Sequence, residues 1–143
     1  MAALRTLQLS EPAVSTGSTP GDLTAALDNF RRSLLRPNGM ALVGTVLAEE
    51  AHTPELLALF RERLVTPRRA QLRAILERAR SQGELRDGVN LDVVTSALVG
   101  AVYARYLAAS AVPTSFAAEL VDALWRGIAQ ASAAAGRKMA GMR

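Results

Sequence analysis

Between Asp92 and Arg105 the chain carries no charged side chain. Valine, leucine and alanine dominate the run, and Asn90 stands before it as a side-chain acceptor for a first helical turn. The spacing predicts a helix that is apolar on nearly every side. One side presents Val94, Leu98, Val102 and Tyr106, and another presents Val93, Ala97, Tyr103 and Leu107. A third row, Ser96, Gly100, Ala104 and Ala108, is small throughout and lets a second helix approach closely. Water cannot face so much apolar surface without cost, so the rest of the fold, and a partner subunit, must gather around this helix.

The flanking segments read as further helices. Thr19 is the expected cap of the first, with Pro20 at its first position and Asp22 at capping-box spacing. Leu23, Leu27, Phe30 and Leu34 then form one apolar face, ended by Pro37-Asn38-Gly39. A second helix over 40–51 shows Met40, Val43, Leu47 and Ala51 on one side. Thr53-Pro54 starts a third, whose apolar positions Leu56, Leu57, Phe60, Leu64, Leu72, Ile75, Leu76 and Ala79 keep helical spacing across Pro67. One long helix kinked at that proline is expected, capped by Gly83. After Val112-Pro113-Thr114 a last helix over 116–133 presents Phe116, Leu120, Leu124, Gly127 and Ile128, with Val121 and Trp125 beside them. No strand pattern and no internal repeat is present. Residues 1–14 read as a helix remnant and a loop, 15–135 as one domain, and 136–143 as a frayed basic tail.

Composition excludes several function classes. The 143 residues contain no cysteine, which removes disulfides, thiolate metal sites and cysteine nucleophiles. The longest apolar run, 97–104, is far short of a membrane span, and the opening residues lack a secretory pattern, so a cytoplasmic location and no membrane partner are expected. The sequence pI of 10.6 suggests nucleic acid and misleads. Net charge is only +4, of which Arg137, Lys138 and Arg143 in the tail supply three, leaving +1 for the body. The arginine-dense stretch Arg61, Arg63, Arg68, Arg69, Arg73, Arg78 and Arg80 lacks interleaved aromatics and reads as a solvated helix face.

Catalysis finds little support. His52 is the single histidine and sits at a helix end, where a cation favours the dipole. Glu49 and Glu50 are adjacent, so they diverge by about 100° around a helix and form neither an acid–base pair nor a metal site. No enzyme activity, metal or cofactor is expected.

Two sites follow from the apolar faces. The helices over 91–110 and 114–133 offer more apolar surface than the preceding ones cover, which predicts a symmetric homodimer. Its candidate interface comprises Ser96, Gly100, Ala104, Arg105, Leu107, Phe116, Leu120, Leu124, Trp125 and Ile128. Arg105, a charge on an apolar helix, either snorkels or pairs with Glu119 or Asp122, within the subunit or across the dimer. A kink at Pro67 leaves a gap lined by Phe30, Met40, Leu47, Phe60, Leu64, Leu72 and Tyr103, with Asn29, His52 and Tyr103 as polar handles. The same apolar side chains are equally compatible with a close-packed core.

The order of these features resembles the C-terminal domain of TetR-family transcriptional regulators. The matching residues are the R-A-x-x-x-G-E-L turn over 78–85, the G-x-x-Y-x-R run at Gly100, Tyr103 and Arg105, and the closing L-V-D-x-x-x-x-G over 120–127. Upstream, STGSTPGDL over 15–23 is similar to the loop and helix start that open this domain. The resemblance implies an all-α domain whose last two helices pair with a second subunit as a four-helix bundle. It further implies that the earlier helices enclose a pocket for a small, usually apolar effector. The family's helix-turn-helix has no counterpart in these residues, so DNA is expected to be reached only through such a domain. A stand-alone helical dimer that carries an apolar ligand, or a protein-interaction module, is the alternative.

Overall fold

The turn between the long helix and the apolar helix ties the molecule together. The computed structural model describes residues 15–131, so the proposed linker remnant and basic tail lie outside the described residues. In chain order the helices are α1 (Thr19–Leu34), α2 (Gly39–Ala48), α3 (Pro54–Phe60), a π-helical turn (Arg61–Val65), α4 (Thr66–Ser81), α5 (Leu91–Ala109) and α6 (Phe116–Ile128). The protein is all-helical; one isolated antiparallel bridge, Leu85 to Ala129, is the sole β pairing among the described residues.

The apolar faces form the core. Leu23, Leu27, Phe30 and Leu34 of α1 meet Leu72, Ile75, Leu76 and Ala79 of α4, Val94, Leu98 and Val102 of α5, and Ala117, Val121 and Trp125 of α6. Leu27 and Leu76 are fully buried, each worth roughly 1.5–3 kcal/mol of transfer free energy. A second, smaller cluster joins Val46, Phe60 and Leu64 where α2 crosses the π turn. Gly39 permits the tight turn from α1 into α2, since a Cβ there would stand 2.3 Å from the Leu34 carbonyl oxygen.

Several boundaries differ from expectation, each for a local reason. Ser18, not Thr19, caps α1: its Oγ accepts from the Gly21 N–H at 3.0 Å. Thr19 instead donates to the Glu84 carboxylate at 2.7 Å. Asp22 closes no capping box; it accepts from the Thr16 N–H (2.7 Å) and hydroxyl (2.9 Å) and from Arg78 (2.8 Å), folding the entering loop back on α4. The long helix is continuous through a π turn ahead of Pro67, where the Thr66 N–H bonds the Arg61 carbonyl, absorbing the lost proline donor.

Helix α2 stops at Ala48, and its covered side carries Val46; Leu47 is 56% exposed. Gly83 adopts φ +74° as expected of a C-cap, and the Glu84 N–H reaches back to the Ala79 carbonyl. The last helix ends at Ile128 rather than near residue 133, because Arg86 N–H donates to the Ile128 carbonyl and Gln130 N–H to that of Glu84. Asn90 caps α5 as expected, accepting from the Asp92 and Val93 N–H groups. Within the subunit, among the described residues, Arg105 pairs with neither Glu119 nor Asp122, and Asp122 takes Arg126 at 2.8 Å. Trp125, 4% exposed, belongs to the core and is covered within the subunit.

The Asp22 carboxyl is held below its ordinary value, chiefly by the Thr16 backbone donor and further by Arg78, against an opposing effect of burial. A depressed folded-state pKa stabilises above the unfolded value, near 3.8, and that contribution disappears as pH falls through the folded one. Asp22→Asn is therefore expected to cost about 1–3 kcal/mol at neutral pH in urea unfolding. Its deficit relative to the wild type should shrink steadily below pH 4; a deficit unchanged down to pH 2 contradicts this assignment.

Candidate ligand-binding cavity

Where α1, the π turn, α4 and α5 diverge, they leave a cavity of about 60 Å³. It lies at the seam between the two clusters. Phe30 and Leu72 stand on the main-core side, and Phe60 and Leu64 on the other. This volume holds a few waters, well below the several hundred Å³ of a typical small-molecule pocket, so a larger occupant requires the walls to part. The smaller of the two clusters forms one wall: within it α2, α3 and the π turn bury only Val46, Phe60 and Leu64.

Of the residues singled out from sequence, the cavity brings together Asn29, Phe30, Phe60, Leu64, Leu72 and Tyr103. It leaves out three. Met40 is half-buried against the main core, Leu47 faces solvent, and His52 is exposed in the turn after α2. The sequence of α2, GMALVGTVLA, is apolar on all sides, so periodicity could not choose its buried face. With α2 ending at Ala48, the turn over 49–52 carries His52 outward.

The structure adds lining residues that the sequence reading placed elsewhere, above all Arg68. Its guanidinium stands 5.2 Å from the Phe30 ring centroid, a cation–π arrangement, and Tyr103 meets Phe30 edge-on at 5.5 Å and 70°. Burial lowers the Arg68 pKa, though the group stays cationic at any physiological pH. Burial also raises that of Tyr103, with Arg68 opposing, so the phenol remains a neutral donor. The available signal was spacing: Arg68 lies four residues from both Leu64 and Leu72, on the apolar side of the helix. Arg61 and Arg63 are exposed, Arg73 pairs with Asp92 and Glu77, and Arg80 pairs with Glu77, as a solvated face requires.

Glu49, Glu50 and His52 line no cleft described for this chain, and no group of three His, Asp or Glu side chains among the described residues is placed to hold a metal. On the far side of α5 from the core, Ser96, Ala97, Gly100, Ala104 and Ala108 are exposed, with Val93 at 63% and Leu107 at 78%. Phe116, Leu120, Leu124 and Ile128 of α6 are half-buried.

Comparison with known proteins gives these features a context. Residues 13–124 match the family model described as "Tetracyclin repressor-like, C-terminal domain". An uncharacterized HTH-type transcriptional regulator, YdeS of Bacillus subtilis (strain 168), is 29% identical over 126 residues, covering 85% of this chain and 62% of the relative. The crystal structure of the TetR family transcription regulator SCO0332 superposes with a TM-score of 0.69 at 30% identity, covering 84% of this chain and 65% of that one. The chain thus spans less than two thirds of the length of either protein. Its similarity includes the helices that wall the cavity as well as those that expose the apolar face. The chain belongs to the TetR family of transcriptional regulators, as a tetracycline-repressor-like C-terminal domain.

Proposed function

We propose that this domain senses a small, mostly apolar effector in the cavity and dimerises through α5 and α6, and that occupancy controls DNA binding by a helix-turn-helix domain. The relatives are named as transcriptional regulators, which supports a regulatory and not a catalytic role in the cytoplasm. The observation that carries the reading is the double duty of α5. Val99 and Tyr103 line the cavity, while Ser96, Gly100, Ala104 and Leu107 of the same helix face outward. An occupant that displaces Tyr103 moves the surface a partner subunit packs on, which couples ligand to quaternary arrangement.

The outward face is the proposed interface. Among the described residues α5 is the one helix long and apolar enough to cross a membrane. Its Val94, Leu98 and Val102 side is buried in the core, so we assign the remaining apolar side to subunit pairing. Half-exposed Phe116, Leu120, Leu124 and Ile128 extend that side along α6, and Arg105 lies beside it.

Two measurements test the reading. A Cβ at Gly100 would meet nothing within 4 Å in the subunit, so Gly100→Leu leaves the fold intact and overpacks only the contact between subunits. Sedimentation equilibrium should show the wild type dimeric at micromolar concentration and the variant weakened by roughly 10- to 100-fold. A monomeric wild type defeats the interface. For the cavity, Phe60→Ala should cost less than the roughly 3–5 kcal/mol of a close-packed phenylalanine, because its ring already borders open volume. A thermal-shift screen should find apolar ligands that stabilise the wild type and whose affinity Phe60→Ala changes. A full core-sized loss with no ligand found would mean that the cavity is only a packing gap.

A further inference from the structure

We infer that the cavity takes an apolar molecule bearing a single carboxylate, and that Arg68 receives the anion. The inference rests on the sensing function proposed above and adds the charge and head group of the ligand. Its starting point is position. Arg68 shares a helical side with Leu64 and Leu72, and its guanidinium is laid over Phe30 inside the cavity lining. The charged residues of that lining are Arg68 and Arg69, and Arg36 lies close enough for its like charge to act on Arg68.

The chemistry of these groups selects among ligands. A guanidinium partly withdrawn from water and flanked by aromatic rings binds a carboxylate through a charge-assisted, geometrically matched fork. Tyr103, kept neutral by burial, adds a phenol donor beside it, and the amides of Asn29 and Gln71 supply further handles. A cationic ligand meets Arg36, Arg68 and Arg69 and is repelled. A second negative charge on the ligand would be pressed against Phe60, Leu64 and Leu72, which offer it no hydrogen bond. One anionic head and one apolar body is the combination that matches both the cationic and the apolar parts of this lining.

Isothermal titration of the full chain with octanoate against octanamide, and with phenylacetate against phenylacetamide, isolates the head group from the tail. The acid of at least one pair should bind the wild type about tenfold or more tighter than its amide. Arg68→Gln should erase that preference, whatever its effect on amide affinity, and Arg68→Lys, which keeps the charge but loses the fork, should keep a reduced preference. The preference is a ratio within one protein, so a uniform loss of stability in a variant does not mimic its loss. Equal affinity of acid and amide for the wild type, or a preference that survives Arg68→Gln, overturns the inference and leaves the sensing function standing. Failure of all four compounds to bind also overturns it. The sensing function falls with it only if the wider thermal-shift screen finds no ligand either.

Discussion

A buried carboxylate organises this domain. Asp22 sits in the first turns of α1 with almost no solvent exposure, and a charge there is tolerable only if donors surround it. Thr16 supplies two and Arg78 a third, and together they pin the entering loop, α1 and α4 to one point. One turn further along, Glu84 accepts from Thr19 and pairs its backbone with Gln130, while Arg86 binds the carbonyls of Ile128 and Gly127. The R-A-x-x-x-G-E-L turn therefore joins the start of α1, the end of α4 and the end of α6. Its glycine supplies the left-handed backbone that lets the chain turn there.

Pro67 sets a second constraint, partway along the long helix. A proline inside a helix removes a donor and crowds the preceding turn. Here the backbone widens into a π turn over Arg61–Val65 and does not break, so α3 and α4 remain one continuous rod. Phe60 and Leu64 join Val46 in a small cluster, whereas Leu72, Ile75 and Leu76 belong to the main core. The cavity is the seam between them. Arg68 occupies that seam because the helix beyond the π turn carries it around with Leu72.

Helix α5 then links inside to outside. Its core side is packed by α1, α4 and α6, its cavity side carries Tyr103 against Phe30, and its small-residue side remains uncovered in the subunit. Three environments on one helix explain why its sequence shows so little polarity: under the proposed pairing, no side faces bulk water.

The sequence by itself determined the helices and most of the core. Apolar residues at steps of three and four in α1, α4 and α5, the proline-led starts and the glycine at 83 are local signals, and short-range sterics and hydrogen bonding decide them. The pocket's aromatic residues, Phe30, Phe60 and Tyr103, were legible for the same reason. What only the tertiary structure decided depends on neighbours distant in sequence. Thr19 exchanges its capping role for Glu84, 65 residues away, and α6 ends early because a distant loop takes its carbonyls. In α2, where every side is apolar, contact with Phe60 and Leu64 and not periodicity turns Val46 inward and leaves Leu47 in water. Trp125 shows the same limit from the other direction: its helical row fits an interface or a core, and packing on α1 places it in the core. Arg68 is the clearest case. Its charge argues for solvent and its spacing for the interior, and only the ring of Phe30 beneath its guanidinium resolves the conflict.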